Sequence, residues 1–262
     1  DSLLDDMAGE GSFLDIVAMM NESTLRDLAA EIMGARELFP PDVDESAYCV
    51  AFGTPAPPDP ETACAAALVR MDRDALRRMI AAWEHGAKGD QEKAAKLKLA
   101  AGEGDAVLAD ELVAAMFTKE LAPRKSHATK GAKAIEPNAE ALCASLEATA
   151  ADVIEGRNAA MAAQRTLKLA RFGGALVDRY NAAKAAKALL DFDDLVGKAR
   201  DLLTRSDMAA WALYRLEGGG DHVLVDEAQG TSRRQWDVIE RLTDEFYSGS
   251  GARSDIERTL FV

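Results

Sequence analysis

Two adjacent carboxylates, Asp226 and Glu227, are the side chains of this chain best suited to chemistry. They follow Val223-Leu224-Val225, a β-branched apolar run typical of a strand that is buried on both faces of a parallel sheet. Ligands of open α/β sheets bind at the carboxyl ends of strands. There one carboxylate can hold Mg²⁺, which prefers oxygen ligands and binds phosphates, and the other can orient or deprotonate an attacking water. An acidic turn without catalytic function fits the same residues, and both interpretations stay open at this point.

The elements around the pair predict one βαβ unit. A helix follows the carboxylates and carries Trp236, Ile239, Leu242 and Phe246 on one side. A second apolar run, residues 259–262, then predicts another strand. We therefore expect a mostly α chain with a C-terminal α/β portion.

Helical spacing of apolar residues predicts the remaining elements. Two helices are expected between Phe13 and Leu38, with Asn21 or Ser23 capping the second. The proline-rich stretch from Pro40 to Pro60 predicts an extended loop. The other predictions are helices over about 61–85, 105–121, 193–203 and 208–216, an exposed loop over 119–133, and a long helix from 137 to about 190 that bends at Gly173-Gly174.

Composition describes a soluble globular protein: 31 Lys and Arg face 45 Asp and Glu, for a formal charge of -14. This balance argues against a protein that coats nucleic acid through bulk charge, but it does not exclude a local basic groove. Three cysteines without a CxxC pair indicate a reducing, cytoplasmic setting. No apolar run reaches the roughly 18 to 20 residues of a membrane span. Because the chain begins without Met and ends in an apolar run, we expect an internal piece of a longer protein.

Two motifs carry a resemblance to a known family. The string Val223-Leu224-Val225-Asp226-Glu227-Ala228-Gln229, with Ser232 and Gln235-Trp236 after it, resembles motif II of UvrD/Rep-type superfamily 1 helicases. About 30 residues upstream, Leu190-Asp191-Phe192-Asp193-Asp194-Leu195 is similar to the signature that precedes this motif in the same family. Tyr180, Lys184 and the run 210–216 make the chain most similar to the AddA-type subunit of bacterial double-strand-break repair helicase–nucleases.

This resemblance implies a fold and a function. Residues 1–188 would form a helical insertion domain of the 1B type, truncated at its N-terminus, and residues 189–262 part of a RecA-like P-loop NTPase core with the Walker B motif. The parent protein would be an ATP-dependent 3′-to-5′ DNA helicase in double-strand-break repair and recombination, with ATP and Mg²⁺ as cofactors. Its partners would be single-stranded DNA, duplex DNA at a fork or end, and an AddB-like nuclease subunit.

The resemblance also assigns roles to residues of the motif. Asp226 would coordinate Mg²⁺, Glu227 would be the base toward water, and Gln229 would sense the γ-phosphate. Gly230 stands where the family pattern has Asp, which could weaken turnover. Asp193 and Asp194 fit helix capping at least as well as a catalytic role. Since the chain has no GxxxxGK[ST] phosphate loop, we expect no ATP hydrolysis by the isolated piece.

A basic segment within the acidic chain predicts contacts to DNA phosphates. Its candidate residues are Arg124, Lys125, Lys130 and Lys133. A solvated surface is the alternative for these four side chains. Two further hypotheses cover the whole chain: a helical DNA-binding or protein-interaction module in which the Asp-Glu pair is structural, and another UvrD-like helicase.

Overall fold

The computed structural model of the chain describes residues 2–204, 222–248 and 259–262. The fold is mostly helical, with one small parallel sheet in these ranges, as predicted. Its helices are α1 (Ser2–Asp6), α2 (Gly11–Val17), α3 (Glu22–Gly34), α4 (Glu45–Phe52), α5 (Pro60–Val69), α6 (Arg73–Trp83), α7 (Lys88–Glu103), α8 (Asp105–Met116), α9 (Lys130–Ile135), α10 (Ala139–Ala186), α11 (Phe192–Thr204) and α12 (Arg233–Ser248). The strands are β1 (His222–Leu224) and β2 (Thr259–Phe261). The chain divides into two compact units, residues 1–180 and 181–262.

Side-chain caps set the helix boundaries of the first unit. Asn21 caps α3 by accepting the backbone N–H of Thr24 at 2.9 Å, which confirms one of the two predicted caps. The extended loop predicted from Pro40 to Pro60 is wrong, because α4 lies inside it. Asp44 caps the start of this helix and Gly53 ends it in the left-handed conformation. The prolines flank α4, where they leave its hydrogen bonds intact.

The helix predicted over residues 61–85 is two helices. The first ends at Val69, and Asp72 caps the second by accepting the N–H groups of Asp74 and Ala75 at 3.0 and 2.9 Å. The helix α7 was not predicted, and its small apolar residues Ala94 and Ala100 are buried beside Leu97. Small side chains that pack closely give little hydrophobic signal in a periodicity search.

Two hydrophobic clusters form the core of the first unit. The larger joins α5 to α9 to the first half of α10 around the fully buried Trp83. The smaller packs α1 to α3 against the later part of the same helix, around Phe172. One helix thus contributes to both clusters.

The long helix α10 has 48 residues without a break, so it extends about 72 Å. Gly173 and Gly174, where a bend was predicted, lie inside this continuous helix. The two glycines allow close approach of the segment between α3 and α4. A Cβ on Gly173 would lie 2.2 Å from the Phe39 ring, and one on Gly174 would lie 2.6 Å from the carbonyl oxygen of Pro40.

In the second unit, α11 begins with a reciprocal cap. Asp191 accepts the N–H of Asp194 at 2.9 Å, and Asp194 accepts the N–H of Asp191 at 3.0 Å. The ammonium of Lys184 binds both carboxylates, at 2.8 and 2.6 Å. The capping role predicted for Asp194 is therefore confirmed. Asp191 occupies the N-cap position, and Asp194 returns the hydrogen bond from the first turn of the helix.

The strands β1 and β2 pair in parallel, with Val223 opposite Leu260, and α12 lies between them in sequence. Leu260 lines a cavity with Trp236 and Ile239, so this helix covers one face of the sheet. The expectation that β1 is buried on both faces is wrong, because Leu224 is 78% exposed. Among the described residues the sheet has two strands and one covering helix, which leaves its other face open.

The helix predicted over 208–216 lies outside the described residues. None of the helices within the described ranges combines the length and the apolar character needed to cross a membrane.

Candidate nucleotide site

The turn after β1 places the two predicted carboxylates just beyond the end of the strand. Val225 still donates its N–H to the carbonyl of Phe261 at 2.8 Å, and the chain then leaves the sheet. Glu227 has left-handed backbone angles (φ 55°, ψ 39°), which are uncommon outside glycine. Gly230 donates its N–H to the Glu227 carbonyl at 2.8 Å and closes a 3₁₀ turn. This turn fixes the backbone that carries the acidic pair.

The three predicted site residues of this turn contact one another. Asp226 Oδ1 accepts the backbone N–H of Glu227 at 3.0 Å. Gln229 Nε2 donates to Glu227 Oε2 at 2.6 Å. All three side chains are exposed to solvent. The turn therefore uses one oxygen of each carboxylate and leaves the other oxygen of each outside these contacts.

This donor set fits Mg²⁺ bound together with phosphates. Carboxylate oxygens are hard ligands, and Mg²⁺ usually takes one or two of them while waters and substrate phosphates complete its octahedral shell. Across the described residues no group of three or more His, Cys, Asp or Glu side chains is arranged to hold a metal. A cation held by Asp226 would therefore depend on oxygens from a bound phosphate or from water.

Gly230 occupies its position without needing the special freedom of glycine. Its φ does not lie in the left-handed region, and a Cβ added to it would meet nothing within 4 Å. An Asp, which the family resemblance predicts here, would fit the same backbone.

Two further residues of the motif have a structural role. Ser232 donates its N–H to Gln235 Oε1 at 2.7 Å, and Gln235 donates its N–H to Ser232 Oγ at 3.4 Å. This is a capping box at the start of α12. The Ser-x-x-Gln spacing before an apolar helix would have predicted it from sequence.

The predicted basic loop is only partly a loop. Residues 118–129 lack regular structure apart from a bridge between Phe117 and Pro123, whereas α9 begins at Lys130. Lys130 and Lys133 therefore lie on a helix, which corrects the prediction. Thr129 occupies the N-cap position, and threonine is a residue type that favours helix starts. The glycine at position 131 suggested a loop instead, because glycine is unfavourable inside a helix.

A buried polar network holds the segment from His127 to Thr129. Asp90, only 3% exposed, accepts the N–H and the hydroxyl of Thr129 at 2.9 and 2.6 Å. Lys93 pairs with Asp90 at 2.9 Å and also donates to the His127 carbonyl, which accepts the Trp83 indole N–H as well. Burial opposes ionisation of Asp90, but the Thr129 hydrogen bonds and the Lys93 ammonium outweigh it, so the pKa of Asp90 lies below its ordinary value. Sequence reasoning missed this network, because its members are far apart in the chain.

The four candidate DNA-binding cations differ in how free they are. Arg124 donates to the Ala114 carbonyl at 3.0 Å, and Lys133 pairs with Glu140 at 2.7 Å. The side chains of Lys125 and Lys130 are exposed and make neither a hydrogen bond nor an ion pair with the described residues. They are the side chains of this set most available to a phosphate.

A comparison with protein families matches residues 71–247 to the UvrD/REP helicase N-terminal domain. This match includes about two thirds of the chain. The chain belongs to the UvrD/REP helicase family. Comparisons with curated proteins and with solved structures gave no match.

Family membership settles the broad class of the chain. It is a helicase-type chain, and ATP binding and DNA binding are properties of the UvrD/REP domain. Helicases of this family use ATP with Mg²⁺. The match begins at Met71, so it extends upstream of the two motifs and includes α6 to α9.

Proposed function

We propose that the chain is an internal part of an AddA-type, ATP-dependent 3′-to-5′ DNA helicase that acts in double-strand-break repair and recombination. Residues 1–188 form its 1B-like insertion and residues 189–262 part of its RecA-like motor core. The parent protein works with an AddB-like nuclease subunit. The observation that supports this proposal best is the turn after β1, in a chain of the UvrD/REP family, where Asp226, Glu227 and Gln229 come together.

Each residue of the turn has a role in the proposed reaction. Asp226 would contribute an oxygen to Mg²⁺, and the bound ion would neutralise developing charge on the phosphates. Glu227 accepts a proton from the attacking water. Gln229 lies within reach of Glu227 and carries a second amide hydrogen for a phosphate oxygen. Phosphoryl transfer depends mainly on such positioning and charge.

An ATPase measurement on the longer polypeptide tests the motor assignment. The flanking coding sequence is expressed together with this chain, so that the protein includes a phosphate-binding loop. DNA-stimulated hydrolysis is expected, with a loss of about 10²-fold or more in Glu227→Gln, the lower limit for removal of a general base. Glu240→Gln, an exposed acid on α12, is the matched control and should keep full activity. Equal activity of both variants would contradict the assignment of Glu227. A nuclease domain towards the end of the same polypeptide distinguishes the AddA type from other UvrD-like helicases.

DNA binding is proposed to involve Lys125 and Lys130, with Arg124 and Lys133 beside them. Each phosphate contact to duplex DNA contributes about 0.9 to the slope of log affinity against log salt. The double variant Lys125→Ala, Lys130→Ala should therefore weaken binding and reduce this slope by about 2. Arg26→Ala removes a charge from α3 and should leave the slope unchanged. An unchanged slope in the double variant would show that these lysines form a solvated surface only.

A further inference from the structure

The contact between Gln229 and Glu227 joins two side chains two residues apart in one tight turn. The amide Nε2 of Gln229 lies 2.6 Å from Glu227 Oε2, a short distance for a charge-assisted hydrogen bond. The family resemblance assigns Gln229 to the γ-phosphate. Its contact with Glu227, the proposed base, is a separate feature that this assignment does not include.

The backbone of Glu227 is held independently of its side chain. Its left-handed conformation is rare for a residue with a Cβ and persists where neighbouring groups enforce it. Here the Asp226 carboxylate binds the Glu227 N–H, and the Gly230 N–H binds the Glu227 carbonyl. These two bonds fix the Cα–Cβ direction but leave three side-chain torsions free.

The free torsions matter because Glu227 is exposed. An exposed glutamate samples several staggered rotamers, and only a fraction of them aim an oxygen at one fixed point. A general base works only within hydrogen-bond reach of the proton that it takes. A second side chain that holds the base is the usual solution in activated sites.

We infer that Gln229 is a positioning residue for Glu227: it binds Oε2 and so leaves Oε1 as the oxygen that accepts the proton of the attacking water. This inference rests on the proposed function. In the step, the water oxygen bonds to the terminal phosphorus, the bond from that phosphorus to the bridging oxygen of ADP breaks, and the water proton moves to Oε1. Gln229 itself gains and loses nothing.

The contact is tested first in the 262-residue chain without nucleotide. The side-chain amide signals of Gln229 are identified by NMR through their loss in Gln229→Met. They should be displaced from the position of a free glutamine and should return to it in Glu227→Ala, but not in the control Glu240→Ala. Signals at the free position in the unaltered chain would overturn the inference.

The role is tested by ATP hydrolysis in the longer polypeptide. Gln229→Met should lower kcat about 10- to 100-fold, the range for loss of one hydrogen bond to a charged group, and change KM less than about twofold. In a Glu227→Asp background the same change should cost nothing further, because the shorter carboxylate no longer reaches the amide. A rise in KM with unchanged kcat, or an equal loss of kcat in the Asp background, would overturn the inference.

These outcomes separate the inference from the proposed function. If the unaltered longer protein hydrolyses no ATP while the NMR contact persists, the proposed function fails and the catalytic meaning of the contact fails with it. If that protein is active and Gln229→Met is as active, the inference alone fails.

Discussion

Adding one methyl group to Gly174 should destabilise the first unit, although alanine is the better helix former. The Cβ of Gly174→Ala would lie 2.6 Å from the carbonyl oxygen of Pro40 and 3.5 Å from its carbon. Real Cβ atoms do not approach other heavy atoms closer than 3.0 Å. Since the obstacle is backbone, relief requires α10 and the segment at Pro40 to move apart.

The magnitude follows from two opposing effects. Alanine gains about 1 kcal/mol of helix propensity over glycine in a helix interior. Overpacking costs about 1–3 kcal/mol when the surroundings cannot yield. The free energy of unfolding should therefore fall by up to about 2 kcal/mol, and each kcal/mol corresponds to about 2–4 °C in Tm for a domain of 150–250 residues.

Gly156→Ala is the matched control, because Gly156 lies on the same helix. Its Cβ would meet Ala63 at 3.6 Å, an ordinary van der Waals distance. The gain in propensity then dominates, and Tm should rise by a few degrees for about 1 kcal/mol. Thermal unfolding followed by circular dichroism measures both variants. If Gly174→Ala raised Tm as much as Gly156→Ala does, the close approach to Pro40 would not limit this position.

Three further predictions concern single residues. Ala188 has φ 50° at the end of α10, so Ala188→Gly should raise the free energy of unfolding by up to about 1 kcal/mol, and a lower urea midpoint would contradict this. Burial raises the pKa of the Cys143 thiol to about 11. Iodoacetamide at neutral pH should therefore leave Cys143 unmodified until the chain unfolds, as measured by mass spectrometry. Rapid labelling of the folded chain would refute the burial. The Lys184 ammonium holds the pKa of Asp194 below its ordinary 3.8. This pair therefore stabilises the fold near neutral pH. The stabilisation is lost as the pH falls below 3.8 and through the pKa of the folded state. Lys184→Met should lose less stability than the unaltered chain over that acidic range, as urea unfolding at several pH values would show.

Elements whose signals are local were predictable from the sequence. Asn21 caps α3, and the strand–helix–strand order around the acidic pair gives the parallel pairing of β1 with β2. Both follow from short-range hydrogen bonding and from side-chain periodicity. The placement of Asp226 and Glu227 just beyond β1 follows from the same pattern.

Features with a weak local signal, or with partners far away in the chain, were not predicted. The helix α4 lies in a proline-rich stretch because Asp44 and Gly53 mark its ends, and a count of prolines hides those two positions. The close approach of Phe39 and Pro40 to Gly173 and Gly174 joins residues about 130 positions apart, so no local pattern predicts it. The left-handed angle of Glu227 has no sequence signal, since glutamate rarely adopts it.

The network around Asp90 has a consequence for the basic segment that it holds. Thr129 and the His127 carbonyl are bound to α6 and α7 through Trp83, Lys93 and Asp90, so the backbone between Lys125 and Lys130 is already ordered. Ordering one residue costs about 1–2 kcal/mol of conformational entropy, and a floating loop would incur that cost at the moment of association. Here the backbone is ordered when the chain folds. A polyanion that bound Lys125 and Lys130 would mainly restrict the rotamers of their side chains.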